Sequence, residues 1–334
     1  MKPRNTMRAK HLSLVLLVAA PVGTLTAQDN HLSQYDAAPM QLNPALTGVF
    51  DEAEFRVATN IRSQWSSIGS NFLTTGFSYD LAAPNRFGVG AYLNNYDMAG
   101  VMNTFQFGLS GSYNVSSENA PHSLSVGLNA GLIYKKVKDE DLLFDQQYND
   151  GYFDPDLPSG ETFPRMSRLM PELAVGFAYR SKNQRHRVNP FANFAAYHVT
   201  MPDESLFRTE RSPLAIRWSL MGGTIIDIGE VLRITPMGQL MVQRNDREIN
   251  MGVLSELSIG GSVYRAVFGV SYRWQDAAIV HAGLRHKNNM YRFSYDMPVS
   301  GLNNYTRLNG AFEFSVVYYG IHSGRERRVL SKSF

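Results

Sequence analysis

An alternation of apolar with polar or small residues, repeated from residue 53 onward, most constrains what this chain can fold into. In residues 124 to 135, for example, the even positions hold Leu, Val, Ala and Tyr, whereas the odd positions hold mainly Ser, Gly and Asn. Because successive side chains of a strand point to opposite faces, each such segment has one apolar face and one polar or small face. The pattern predicts long amphipathic β-strands.

Fourteen segments show this alternation, and most are about 9 to 14 residues long, enough for a tilted strand to cross the hydrocarbon of a bilayer. Strands of soluble proteins average about five or six residues, which disfavours the alternative of a soluble β-sandwich. We therefore predict a transmembrane antiparallel up-and-down β-barrel of about 14 strands over residues 53–324. The segments begin near residues 53, 70, 86, 101, 122, 169, 189, 213, 231, 248, 263, 277, 290 and 307.

The connections between these segments fall into a short set and a long set. The short set consists of residues 83–85, 116–121, 182–187, 229–230, 260–262 and 287–289. The long set includes residues 138–168, 201–212 and 299–306. Barrels of the bacterial outer membrane have short periplasmic turns and longer outer loops. The asymmetry predicts a protein of the cell outer membrane with both termini in the periplasm.

Residues 1–27 have the character of a secretory signal peptide. Basic residues up to Lys10 precede an apolar run too short to cross a bilayer about 30 Å thick as a helix, and Ala27 offers a small residue for cleavage. This segment holds four of the 32 basic residues and none of the 29 acidic ones. The mature chain is thus nearly neutral, which does not support a nucleic-acid-binding protein. Because the chain has no cysteine, disulfides, thiolate nucleophiles and cysteine zinc sites are excluded.

Residues 28–52 precede the first strand and combine prolines with apolar side chains. Pro39 and Pro44 discourage helix and strand pairing, whereas Leu42 and Leu46 make the segment too apolar for a free tail. Two interpretations remain open: the segment packs into the barrel mouth or lumen from the periplasmic side, or it docks a periplasmic protein. The candidate residues are Gln34, Tyr35, Pro39, Leu42, Asn43, Pro44, Leu46 and Gly48.

The long connection over residues 138–168 is rich in carboxylates and aromatic side chains. Calcium could bind such carboxylates, but the spacing of the EF-hand loop is missing, so a solvated acidic loop is the favoured interpretation. Its aromatic residues predict a surface that meets a partner. The candidate residues are Phe144, Asp145, Tyr148, Asp150, Tyr152, Phe153 and Asp154. At the other terminus, residues 325–334 are basic and are predicted to form a periplasmic tail.

No arrangement of residues indicates catalysis. The chain has no Gly-x-Ser-x-Gly elbow, no His-Glu-x-x-His and no phosphate-binding loop. His281 and His286 are five residues apart and fall on opposite faces of one strand, which places them poorly for a shared metal ion. We expect no enzymatic activity, no cofactor and no metal site.

The amino-terminal segment contains Ser-Gln-Tyr, Ala-Pro-Met and Leu-Asn-Pro-Ala-Leu-Thr-Gly at residues 33–35, 38–40 and 42–48. These motifs resemble the opening of the PorP/SprF family of the type IX secretion and gliding-motility apparatus. A departure is Asp36, where a second aromatic residue is commoner in the family. Shorter similarities continue along nearly the whole mature chain, at residues 60–65, 78–80, 145–148, 196–198, 272–277 and 294–296.

The resemblance implies a non-enzymatic outer-membrane barrel that accompanies the type IX machinery. Members of the PorP/SprF family are linked to export or surface attachment of large adhesins, and to anchoring of periplasmic ring and peptidoglycan-binding components. Two other functions stay open from the residues themselves. The polar strand faces could line an outer-membrane channel or small-solute transporter, and a hydrolase with a scattered triad is the least favoured alternative.

Overall fold

The computed structural model describes residues 29, 31–50, 53–64, 71–117, 120–138, 145–149, 152–154, 157–158, 166–183, 186–206, 211–261, 263–300 and 310–321. Within these ranges, fourteen strands form a closed barrel and β6 and β7 form a separate small hairpin. The strands are β1 (Phe55–Gln64), β2 (Phe72–Ala82), β3 (Phe87–Met98), β4 (Met102–Asn114), β5 (His122–Val137), β6 (Tyr148–Asn149), β7 (Tyr152–Phe153), β8 (Ser167–Ser181), β9 (Val188–Tyr197), β10 (Arg217–Ile228), β11 (Leu232–Gln243), β12 (Asp246–Ser258), β13 (Tyr264–Arg273), β14 (Ala277–His286), β15 (Asn289–Pro298) and β16 (Ala311–Gly320).

Every barrel strand pairs antiparallel with its neighbour along the chain, and β1 closes the ring on β16. The closing ladder runs from Phe55 opposite Gly320 to Gln64 opposite Ala311. The prediction of a fourteen-stranded antiparallel barrel is confirmed, and each strand begins within four residues of its predicted start. None of the helical turns in the described ranges has the length and apolar character of a membrane-spanning helix.

The two faces of the barrel wall differ as the alternation predicts. On β5, Leu128 has 67% of its surface exposed on the outside of the barrel, whereas the neighbouring Asn129 is buried in the lumen. Exposed Phe, Leu, Val and Trp side chains cover the outside on the other strands as well. An apolar outer belt over a polar interior matches a barrel that faces lipid.

The two ends of the barrel are unlike. The turn end carries residues 83–86, 115–121, 182–187, 229–231, 259–263 and 287–288, and both the start of β1 and the end of β16 lie there. The loop end carries the long connections 138–166, 198–216 and 299–310 together with four shorter ones. The assignment of the turn end to the periplasm stays a prediction, as do the placements of the signal peptide and of the tail, which lie outside the described residues.

The remaining short elements are single helical turns. The amino-terminal segment contains the 3-10 turns Tyr35–Ala37 and Pro44–Leu46 and the four-residue helix α1 (Pro39–Leu42). Pro39 and Pro44 each occupy the first position of such a turn, where a missing N–H costs nothing. The prolines therefore limit the helices to one turn rather than exclude them. Two further 3-10 turns are Pro84–Arg86 and Asp145–Gln147.

Candidate functional site

Residues 31–50, which we call the lumen segment, run through the barrel from the loop end to the turn end. Ser33 contacts Asp296 and Glu313, which lie near the loop ends of β15 and β16. At the other end of the segment, the ring of Phe50 packs against that of Tyr319 near the turn end of β16, with centroids 6.1 Å apart. The segment therefore occupies the lumen along its length.

All eight residues that the sequence singled out in this segment lie inside the barrel. Leu46 and Gly48 are partly exposed to the lumen, and the other six are buried, namely Gln34, Tyr35, Pro39, Leu42, Asn43 and Pro44. The side chains of Gln34 and Asn43 donate hydrogen bonds to the wall. The following contacts define the site.

A buried ion cluster fixes Ser33 near the loop end. The carboxylate of Asp296 accepts hydrogen bonds from Arg62 Nη2 at 2.9 Å and from Arg273 Nη2 at 3.0 Å. Ser33 Oγ lies 2.7 Å from the same Asp296 Oδ2, and the Ser33 N–H donates to Glu313 at 2.8 Å. The side chains of Arg62, Arg273 and Asp296 are almost fully buried. Their charges are therefore stabilised by one another rather than by water.

The next two polar residues of the segment bind Arg292 of β15. Arg292 donates to Gln34 Oε1 from Nε at 2.9 Å and to both carboxylate oxygens of Asp36, at 2.9 and 2.6 Å. The planar guanidinium thereby makes a bidentate pair with the segment, the geometry that gives the strongest charged hydrogen bonds. The departure from the family pattern at Asp36 thus supplies a carboxylate to a buried arginine.

Asn43 and the turn after it lie directly on the wall of β5 and β8. Asn43 Nδ2 donates to the carbonyl oxygens of Phe177 and Phe194 at 2.9 and 3.1 Å, and its Oδ1 accepts from the N–H of Ala45. A Cβ added to Gly127 would overlap the backbone of Ala45, and one added to Gly176 would overlap the Asn43 amide. Glycine is required at Gly127 because the backbone of the segment lies against it, and at Gly176 because the Asn43 side chain does.

Near the turn end, an ion pair and a glycine hold the segment as it approaches β1. Arg56 donates to Asp80 at 2.7 Å and to the carbonyl oxygen of Leu46 at 3.0 Å. The N–H of Gly48 donates to Asp80 at 2.6 Å. Gly48 has φ 64° and packs against the carbonyl of Leu81, so a side chain there would be strained and would clash.

Asp29 lies at the loop end, beside the ends of β9, β10 and β11. His198, which follows β9, has Nε2 2.6 Å from Asp29 and Nδ1 2.5 Å from Glu172. Arg217 Nη1 lies 3.2 Å from Asp29, and the Arg217 guanidinium lies over the ring of Tyr197. We call Asp29, Glu172, His198 and Arg217 the loop-end latch, because they join Asp29, two residues before the lumen segment, to the wall.

Comparison with known proteins decides the family. The sequence model of the type IX secretion system membrane proteins PorP/SprF matches residues 24–318. The chain belongs to the PorP/SprF family. It is therefore an outer-membrane β-barrel of a secretion family, as the sequence predicted. No curated protein sequence matches the chain.

Solved structures of other proteins are similar to this PorP/SprF protein at low sequence identity. The Ralstonia pickettii toluene transporter TbuX is 11% identical, with a TM-score of 0.51 over 86% of this chain and 94% of that one. A Pseudomonas aeruginosa FadL homologue is 12% identical, with a TM-score of 0.44 over 83% of this chain and 92% of that one. At such identities the likeness concerns the fold alone.

The charges of the loop-end latch affect the pKa values of His198 and Asp29. Burial opposes a charge on His198, but Asp29 and Glu172 prevail and raise its pKa to about 9 from 6.5. Burial likewise opposes the charge on Asp29, yet His198 and Arg217 lower the pKa of this carboxyl.

We expect the latch to stabilise the PorP/SprF barrel fully below about pH 6.5 and to lose that contribution, on the order of 3 kcal/mol, as the pH rises through the folded pKa of His198. The measurement is the midpoint of thermal unfolding in detergent between pH 6 and 10. The variant His198→Gln should show a flatter profile over this range, since its side chain does not titrate. Equal pH profiles for the two proteins would contradict the role of His198.

The structure describes the predicted outer-loop residues only in part. Phe144 and Asp150 lie outside the described residues. Asp145, Tyr148 and Phe153 are described in their backbone only, with Tyr148 and Phe153 in the β6–β7 hairpin. Tyr152 has 81% of its surface exposed, and the N–H of Asp154 donates to the carbonyl of Gln147 at 2.8 Å. Within the described ranges, no group of three or more candidate ligands could hold a metal ion.

Sequence reasoning missed the wall residues that hold the segment, chiefly Arg62, His198, Arg273, Arg292 and Asp296. A signal was present, because ionisable residues on the lumen face of a membrane barrel strand need partners. Arg292 and Asp296 lie an even number of positions apart, on the same polar face of β15. Charged residues on this face indicate that another part of the chain occupies the lumen. Their partners in the lumen segment, Gln34 and Ser33, lie more than 200 residues away in the chain, so this pairing was not visible.

Proposed function

We propose that this protein is a non-enzymatic scaffold of the type IX secretion machinery, with a lumen closed by residues 31–50. It supports export or surface attachment of adhesins, and it anchors periplasmic partners. The observation that carries the proposal is the course of the lumen segment, which fills the barrel from the loop end to the turn end. A barrel with a filled lumen offers its two ends, rather than a pore, to other molecules.

The strength of the attachment supports a permanent closure. Asp36, Ser33 and Gln34 bind buried arginine and glutamate side chains of β1, β15 and β16. Withdrawing the segment would leave Arg62, Arg273 and Arg292 in the lumen with fewer partners, and uncompensated buried charges are costly. The segment is thus proposed to be part of the barrel rather than a peptide that leaves it to dock elsewhere.

The two ends of the barrel have distinct proposed roles. The loop end, with the exposed Tyr152 and the acidic connection 138–168, is the proposed surface for adhesins, because aromatic residues on long loops favour partner contacts. The turn end is the proposed contact for periplasmic ring or peptidoglycan-binding components. This assignment also requires that residues 1–27 are cleaved as a signal peptide and that residues 325–334 face the periplasm.

Site-specific crosslinking in intact cells tests the proposal. A photoreactive amino acid is placed at Tyr152 on the loop end, at Glu230 on the turn end, and at Leu128 on the lipid-facing wall as a matched control. We expect secretion components or adhesins to be captured from the first two positions, and no protein from the third. Recovery of none of these components from either end, with each protein correctly inserted, would refute the scaffold role.

A second function, that of a channel or small-solute transporter, is favoured by one observation. A cavity remains beside the lumen segment at the loop end, lined by residues such as Tyr92, Gln239 and Arg217. The Ralstonia pickettii toluene transporter TbuX also has a similar fold. Steady current through the intact protein in a planar bilayer would support the channel and exclude the closed scaffold.

A further inference from the structure

The turns at the turn end divide into a basic half and a neutral half. The three turns that join β2 to β3, β4 to β5 and β8 to β9 hold four arginine or lysine residues and one acidic residue, Glu118. These strands are neighbours in the barrel. The three turns that join β10 to β11, β12 to β13 and β14 to β15 hold one residue of each sign, Glu230 and Lys287. We call the first three turns the basic rim, which consists of residues 83–86, 115–121 and 182–187.

The basic rim borders the apolar outer belt of the barrel. Phe87, Val115 and Val188 lie in or beside these turns, and each has about half of its surface exposed. Apolar side chains on the outside of such a barrel face lipid. Cationic and aromatic side chains at the edge of the belt lie at the depth of the lipid headgroups. A molecule at the basic rim therefore meets an apolar surface and a cationic one together.

Arg86 is exposed, yet its side chain is fixed at this border. Its Nη1 donates to the carbonyl oxygens of Val115 and Ser116 at 3.3 and 3.2 Å, and its Nη2 donates to Tyr113 Oη at 2.7 Å. The guanidinium also lies over the Tyr113 ring, 5.2 Å from its centroid. Holding a long side chain in one geometry costs conformational entropy. An anion that binds here meets a guanidinium that is already ordered, which favours binding.

The partners that fix Arg86 are all neutral oxygens, so its charge is not cancelled by them. Three hydrogen bonds also leave two of the five N–H groups of a guanidinium for a ligand. Arginine binds phosphate oxygens through such paired N–H groups. On the next strands, the ring of His122 stacks on that of Tyr179 with centroids 5.7 Å apart. The basic rim thus presents an ordered cation between aromatic rings at the edge of the lipid-facing wall.

The net charge of the basic rim favours an anionic lipid over a zwitterionic one. Its four basic residues exceed its acidic residue by three charges. The phosphate of phosphatidylglycerol carries an uncancelled negative charge, whereas the ammonium group of phosphatidylethanolamine cancels the charge of its phosphate. Basic clusters beside a membrane attract anionic lipids for this reason.

We propose that the basic rim binds an anionic phospholipid of the leaflet at the turn end, with Arg86 on its phosphate group. The acyl chains of this lipid lie on the apolar wall beside Phe87 and Val115, and Tyr113 lies beside the headgroup. The proposal goes beyond the scaffold function and does not rest on it, because it concerns the lipid around the barrel rather than its protein partners.

Native mass spectrometry of the full-length mature protein, released from detergent micelles, tests this proposal. The probes are dioleoylphosphatidylglycerol and dioleoylphosphatidylethanolamine, which share their acyl chains and differ in headgroup charge. The test protein is Arg86→Gln, which removes the charge and keeps a polar side chain. The matched control is Arg265→Gln beside the neutral turns, because Arg265 also donates to a turn carbonyl, that of Glu230, at 3.2 Å. Heat-dependent mobility in gels verifies that each barrel is folded.

We expect the wild-type protein and Arg265→Gln to bind phosphatidylglycerol more tightly than phosphatidylethanolamine. The affinity of Arg86→Gln for phosphatidylglycerol should be about fivefold lower, the effect of one basic residue near an anionic lipid surface. Equal affinity of the wild-type protein for the two lipids would overturn the proposal. So would equal losses in the two variants, or unchanged binding by a folded Arg86→Gln protein. Displacement of the lipid by an equal concentration of inorganic phosphate would also overturn it, because the site would then bind free phosphate.

Discussion

Replacing Asp296 with alanine should lower the free energy of unfolding by about 3–5 kcal/mol, the largest effect that we expect from a single substitution. Asp296 accepts hydrogen bonds from Arg62 and Arg273, and Ser33 Oγ lies within 2.8 Å of both its carboxylate oxygens. Without the carboxylate, Arg62 retains Glu313 and Arg273 retains Glu248 and Asp276, but the two guanidinium groups remain buried close together with less negative charge between them. Removing one partner from a buried ion cluster costs far more than the cluster itself contributes to stability.

The measurement is the denaturant midpoint of the purified barrel in detergent, with the loss of heat-dependent gel mobility as a second readout. A matched control is Asp227→Ala at the turn end. Asp227 accepts from Arg233 at 2.7 Å, but both side chains are more than a third exposed, so its loss should cost only about 0–1 kcal/mol. Similar losses of unfolding free energy from the two substitutions would show that burial does not determine how much the ion cluster around Asp296 contributes to stability.

Replacing Gly127 with valine should displace the lumen segment and open the barrel. The new Cβ would overlap the backbone of Pro44 and Ala45, and valine itself favours a strand, so the strain falls on the segment. Overpacking of this kind costs about 1–3 kcal/mol, which would raise the population of displaced segment roughly 5- to 150-fold. Planar-bilayer recordings should then show open-channel events that the wild-type protein lacks.

Gly111→Val is the matched control for this substitution. Gly111 lies on the neighbouring strand β4, and a Cβ added to it would meet nothing closer than 4.0 Å. This variant should insert and conduct as the wild-type protein does. Conductance that is unchanged by Gly127→Val, in a correctly folded barrel, would mean that residues 43–46 do not close the lumen.

The strands could be predicted because their signal is local. On β5, Leu128 and Asn129 are neighbours in the chain and lie on opposite faces of the wall. The alternation of apolar with polar or small residues was therefore enough to find fourteen strands. Sequence reasoning also identified Leu42 and Leu46 as too apolar for a free tail. It did not reveal where they bind, because burial inside a barrel and burial against a partner require the same residue types.

The contacts of the site could not be predicted, because they join distant parts of the chain. Asp29 and His198 are separated by 169 residues, and Ser33 and Asp296 by 263. Each residue alone is an ordinary charged or polar side chain on a strand face or in a short segment. Only the closed ring of strands brings them together, so their roles follow from geometry rather than from spacing.

The position of Ser33 has a consequence for the order of assembly. It contacts Arg62 of β1, Asp296 of β15 and Glu313 of β16, which lie at the seam where the first and last strands meet. The amino-terminal residues are synthesised first, yet they acquire these partners only after the carboxyl-terminal strands have been made and paired. Contacts of such long sequence separation form late, because loop closure must precede them. We therefore expect the segment to complete its attachment last, after the ring of strands has closed.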